Sequence, residues 1–175
     1  TPGNHEYDDG LSRHWRPVFR FPKNGPDGLE ETVYWIDYQC ARIISLNSNE
    51  KQKEQVAWLR EVLSSNEQPW TIITFHHPMY SSAEGRDNVE LRDTWQPVFD
   101  EFEVDLVLQG HDHTYARTGL IKHQNLETGV RFHNQDSGTM YVVSVSGPKM
   151  YKLGRRPFMR RAAQDTQLYQ IIEVA

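Results

Sequence analysis

Apolar and polar residues recur along this chain with two different periods, and the switches between them predict an α/β fold. Thr32–Tyr38 and Ala41–Leu46 are runs rich in β-branched, aromatic and aliphatic residues separated by only two positions. They predict two strands joined by a tight connection. Over Lys51–Ser64 the apolar residues Val56, Leu59, Val62 and Leu63 return at helical spacing, with Ser48 or Asn49 placed to cap the start. Trp70–Phe75 reads as a buried strand. Val89–Phe102 reads as a second helix whose stripe is Leu91, Trp95, Val98, Phe99 and Phe102. Val104–Leu108 is the next strand, and Met140–Val145 and Leu168–Val174 are two more. Residues 10–31, rich in Gly, Pro and charge, hold neither period and predict a long surface loop.

This order has a consequence for where chemistry gathers. A helix between two strands makes a crossover long enough for parallel pairing, so both strands end at the same sheet edge. Ligands in open α/β sheets collect at that edge. His76 follows one strand end directly, and His111 follows the other closely. Topology therefore carries both toward one site. Asn4 and His5 are expected to reach it from a strand that precedes Thr1.

Composition narrows the class. The 175 residues are 37% hydrophobic and carry a formal charge of −5, which suits a globular domain and argues against nucleic acid as the main partner. An acidic chain can still bind phosphate where metal ions supply the local positive field. Cys40 is the single cysteine, so no internal disulfide forms. No apolar run reaches the length of a membrane span.

Three short motifs carry the candidate chemistry: Gly3-Asn4-His5-Glu6, Phe75-His76-His77-Pro78 and Gly110-His111-Asp112-His113. His111 and His113 are two apart. In extended backbone their side chains share one face, a spacing that serves two adjacent metals with one imidazole each. Together with Gln55, Trp58-Leu59, Pro69-Trp70, Pro78, Tyr80 and the run ending at Arg117, the motifs resemble the calcineurin-like metallophosphoesterases. Within these they resemble the purple acid phosphatase branch, over residues 1 to about 150.

That resemblance implies the C-terminal portion of a layered α/β/β/α sandwich and a dinuclear Fe, Zn or Mn centre. Asn4, His76 and His111 would hold one ion and His113 the other. A carboxamide oxygen with two imidazoles suits a borderline divalent ion. His5 would protonate the leaving oxygen, with Glu6 orienting it. The family's two earlier metal blocks, which carry aspartates, are absent. The chain is therefore expected to be a single, N-terminally incomplete domain of weak or no activity. The resemblance also implies a secreted or periplasmic protein that acts on phosphorylated small molecules or proteins. An edge left open by missing strands would invite a homodimer.

Other residues read more plainly. His14, His123 and His133 are solvated bystanders, and His77 is read as a neutral packing group rather than a substrate-side residue. Asp112 is a turn-stabilising carboxylate; Tyr115 and Arg117 hold the histidine loop. Arg155, Arg156, Arg160 and Arg161 form a basic cluster read as a solvated face. Ser81–Asn88 lacks the extra histidines of plant-type relatives, which leaves Arg86 as its candidate phosphate contact. The leading reading is a metal-dependent phosphomonoesterase. The alternatives are a catalytically silent metal-binding or interaction domain, and a nuclease or phosphodiesterase on the same fold.

Overall fold

The computed structural model describes residues 1–7, 9–122 and 137–174. Asp8, His123 and His133 lie outside the described residues. Seven strands form one mixed sheet: β1 (Tyr34–Tyr38), β2 (Ala41–Ser45), β3 (Trp70–Thr74), β4 (Leu106–Gln109), β5 (Tyr115–Ile121), β6 (Thr139–Val143) and β7 (Met159–Ala163), in the order β1-β2-β3-β4-β6-β5-β7. β1 and β2 are the expected hairpin, antiparallel with Tyr38 opposite Ala41. Gln39 turns the chain with a φ of 52°. β2, β3, β4 and β6 run parallel.

Besides the one-turn helix α1 (Trp15–Val18), two helices make the crossovers: α2 (Gln55–Ser64) between β2 and β3, and α3 (Val89–Glu101) between β3 and β4. Their apolar stripes share one core with the sheet. Leu59, Val62 and Leu63 of α2 and Trp95, Val98 and Phe99 of α3 cluster with Ile44, Ile73, Phe75 and Val107. Trp95 is fully buried and meets the Phe75 ring edge-on at 4.8 Å between centroids. That packing fixes the end of β3, and His76 is the next residue.

Several expectations shift. Helix α2 starts four residues later than its apolar period suggests, because Lys51 has a φ of 49° and cannot begin a right-handed helix. Neither Ser48 nor Asn49 caps it; Gln55 closes that turn instead, accepting from Asn47 N and donating to Asn47 O. Tyr115–Ile121 is a strand, although Ala116 and Gly119 weaken its strand signal. Arg160 and Arg161 lie on β7.

Leu168–Val174, expected as a strand, is irregular. Tyr169 and Ile171 are 81% and 77% exposed, and only Leu168 N reaches a strand-like partner, Val145 O, at 3.0 Å. Strand propensity needs a pleated, half-buried neighbour, and this segment has none among the described residues. The chain contributes one sheet and its packed helices to the expected layering.

Candidate metal centre

Parallel pairing continues past the strand ends and aligns the two histidine loops. Phe75 N donates to Leu108 O and Gly110 N donates to His76 O, which holds His76 beside the Gly110–His113 loop. Asn4 sits in a short 3-10 turn, Asn4–Glu6, on a segment tied to the loop after β2. Thr1 Oγ1 donates to Leu46 O, Asn49 Nδ2 donates to Pro2 O, and Asn47 Nδ2 donates to the Tyr7 hydroxyl.

Three donor atoms converge there. Asn4 Oδ1 lies 2.9 Å from His76 Nε2 and 3.1 Å from His111 Nδ1, and the two ring nitrogens are 3.0 Å apart. With the carboxamide oxygen facing both rings, the two ring nitrogens cannot both donate to it without two N–H groups facing one another. A cation satisfies all three lone pairs at once. Around a tetrahedral ion with bonds of about 2.0–2.1 Å, adjacent donors lie about 3.3 Å apart, within a few tenths of these distances. The donor set fits a metal ion.

The electrostatics keep the ligands neutral. Burial, reinforced by neighbouring histidines, lowers the His76 pKa to about 3. Burial, His77 and Arg86 lower that of His111 to about 4. Gly3 makes the close packing possible. A Cβ on it would meet His76 Cε1 at 2.9 Å and Nδ1 at 3.0 Å, so the requirement is space rather than backbone freedom.

His113 does not join the triangle. His111 and His113 have φ of 68° and 49°, so the loop is a tight left-handed turn instead of the extended backbone assumed from their spacing. His113 Nδ1 lies 2.8 Å from Lys149 O. Such conformations cost energy for residues with a Cβ and persist where the surroundings hold them. Asp112 does that holding, in the structural role expected of it. Fully buried, its Oδ2 accepts from Ser81 Oγ, Ser82 N and Ala83 N at 2.6, 2.7 and 3.1 Å. Arg86 Nη1 lies 3.5 Å from Oδ1, within ion-pair range, but neither of these buried atoms makes a hydrogen bond.

His5 is exposed beside Asn4. Glu6 Oε2 accepts from Gly3 N at 2.7 Å, so this oxygen closes its own turn. His77 combines both readings weighed for it. Its Nδ1 is 2.9 Å from Ser48 Oγ, and it forms with His76 and His111 a cluster whose ligand atoms all lie within 4.8 Å of one another. It also lines, with Asn4, Tyr7 and the first turn of α3, an open cleft of about 920 Å³. Ser48, Lys149 and Tyr151 frame the site, and no motif spacing pointed to them.

A family model for calcineurin-like phosphoesterases matches residues 1–115. The chain belongs to the calcineurin-like phosphoesterase family. Its likenesses place it in the purple acid phosphatase-like branch. Purple acid phosphatase 1 of Ipomoea batatas is 31% identical over 136 residues, covering 69% of this chain and 29% of that protein. Phosphoenolpyruvate phosphatase of Allium cepa is 31% identical over 174 residues, covering 89% of this chain and 36% of that protein. The solved structure of purple acid phosphatase PPD1 from yellow lupin superposes with a TM-score of 0.58 at 29% identity, covering 72% of this chain and 24% of that one. GAP50 of Plasmodium, with a TM-score of 0.54 at 18% identity over 77% of this chain and 44% of its own, shares the fold alone. The chain spans about a third of the length of these curated relatives. No helix among the described residues is long and apolar enough to cross a membrane.

Proposed function

We propose that this chain carries one half of a two-metal phosphoesterase site and that the whole protein hydrolyses phosphomonoesters. The observation that supports this most is the triangle of Asn4 Oδ1, His76 Nε2 and His111 Nδ1, whose edges are 2.9–3.1 Å. Asn4, His76 and His111 would hold a divalent or trivalent ion (Zn, Mn or Fe), which would supply polarisation of a phosphate oxygen and a lowered water pKa. The chain's own residues do the rest. His76 and His111 stay neutral as ligands, Gly3 lets them pack, and Asp112 holds their loop. His5, exposed beside Asn4, is placed to give a proton to the leaving oxygen, and His77 lines the cleft that would receive the leaving group. The second ion and its bridging carboxylate would come from parts of the whole protein that this chain does not span, a reading supported by the third of its relatives' length that it covers.

A second reading, a catalytically silent metal-binding domain, draws on His113, which faces Lys149 O instead of the triangle. Metal analysis tests the first reading. Purified without chelator and dialysed against Zn²⁺, the chain is expected to hold about one ion, as an open three-ligand site does. His76→Ala is expected to hold none tightly. Two tightly held ions, or none, would refute it. We also propose that the protein is secreted and that it self-associates. The second is supported by Ile36 and Tyr38 on edge strand β1, which stand 39% and 62% exposed.

A further inference from the structure

We infer that His77 donates a hydrogen bond from Nε2 to a phosphate oxygen of the substrate, and that it is not a metal ligand. That the acceptor is a phosphate beside a bound ion rests on the function proposed above. The direction of the His77 hydrogen bonds does not.

His77 is held at both ends of its backbone. Its N donates to Ser48 Oγ at 3.0 Å, and its O accepts from Gln109 Nε2 at 3.2 Å. The ring returns to the same hydroxyl, with Nδ1 2.9 Å from Ser48 Oγ. Ser48 is buried, and Gln52 Nε2 donates to its carbonyl at 3.0 Å, so the loop after β2 keeps that hydroxyl in place. A serine hydroxyl has one hydrogen to give. Its oxygen already accepts from His77 N, and Nδ1 is its acceptor among the described residues. A hydrogen on Nδ1 would instead leave the buried hydroxyl hydrogen unsatisfied, which buried polar groups avoid. When Nδ1 accepts, the ring proton sits on Nε2. A ring charged at both nitrogens carries the same Nε2–H, so the donor persists in either protonation state.

This N–H stands where the triangle meets the cleft. Ligand atoms of His76, His77 and His111 lie within 4.8 Å of one another, and the His77 ring centroid is 4.4 Å from that of His111. The same ring lines the cleft with Asn4 and the first turn of α3. Proximity alone would make His77 a fourth ligand. An N–H offers a cation no lone pair, so the tautomer excludes that role. Three lone pairs and one N–H in so small a space suit two opposite charges: a cation on the triangle and an oxyanion on the cation. A tetrahedral anion held by the ion through one oxygen turns another toward His77, where a charged acceptor strengthens the bond.

Long-range proton–nitrogen spectra of the imidazole rings read the tautomer directly. His77 is expected to carry its proton on Nε2 in the metal-free chain. With Zn²⁺ added, the ligating nitrogens of His76 and His111 should shift and those of His77 should stay. His77→Ala is expected to keep Zn²⁺ affinity but to weaken binding of inorganic phosphate to the Zn²⁺-loaded chain about tenfold, the scale of a hydrogen bond to a charged group. His77→Gln, whose amide still donates, should retain part of that affinity. An Nδ1–H tautomer, a Zn²⁺-bound His77 nitrogen, lost Zn²⁺ affinity in His77→Ala or phosphate binding equal to the parent's would each overturn the contact and leave the triangle standing. A chain that binds no Zn²⁺ would overturn the function proposed above and the phosphate contact together.

Discussion

At the scale of single residues, the site depends on close approach and on neutrality. Gly3 has extended backbone (φ −94°, ψ 179°) that any residue adopts, so its substitution tests space alone. Gly3→Ala drives a methyl into His76, and the ring cannot yield without leaving Asn4. Zn²⁺ affinity, read by competition with a chromophoric chelator, is expected to fall about 10–100-fold, as for loss of a residue that orients a ligand. The urea midpoint should barely move.

The lowered pKa values of His76 and His111 set a pH dependence for the metal-free chain. Each folded-state value, about 3 and about 4, lies below the ordinary 6.5. The unfolded chain therefore binds more protons between them, and stability falls as pH drops from about 6.5 toward 4. Urea midpoints across that window, compared with those of a His76→Ala/His111→Ala double variant, check the sign. An unchanged slope in the double variant would count against the assignment.

At the scale of elements, the strand ends deliver the histidines, and the loops between elements aim them. Asp112 is the clearest case, since one carboxylate oxygen gathers a hydroxyl and two backbone N–H groups from residues 81–83. Removing it leaves those donors without their buried acceptor and Arg86 without its nearby counter-charge. Asp112→Ala is expected to cost about 3 kcal/mol or more in urea unfolding, the scale for breaking a buried charged network. Metal affinity should fall with it, because the left-handed turn of His111 loses its support. The β3–α3–β4 crossover and its parallel pairing were legible in the strand-helix-strand alternation over residues 70–108. The strand character of Tyr115–Ile121 was not, because those residues are held between β6 and β7 by neighbours distant in sequence.

At the scale of the whole molecule, the chain presents a triangle of three donor atoms and a cleft, with the His113 ring against Lys149 O. Two-metal hydrolysis needs a clamp on both attacking and leaving oxygens. The chain alone is therefore expected to hydrolyse p-nitrophenyl phosphate weakly or not at all, even with Zn²⁺, Mn²⁺ or Fe supplied. A version extended at its N-terminus should turn over, and in that version His5→Ala should lower kcat by roughly a hundredfold with metal content unchanged. Equal rates per molecule for the two lengths would show that the triangle suffices. Loss of metal in His5→Ala would place His5 among the ligands.

The sequence by itself determined the α/β class and the two crossovers, because these follow from local periods, and strand ends sent His76 and His111 to one edge; Asn4 entered as a candidate only through the family resemblance. A period of 2 or 3.6 is a short-range signal, and parallel pairing sends successive strand ends to one edge whatever the rest of the chain does. Only the tertiary structure decided that the His113 ring meets Lys149 O and that Leu168–Val174 forms no strand among the described residues. It also brought Arg86, Lys149 and Tyr151 together across more than sixty positions of sequence. Those outcomes depend on which distant backbone groups compete for each side chain. A carbonyl such as that of Lys149 can claim His113 only once the loops have met.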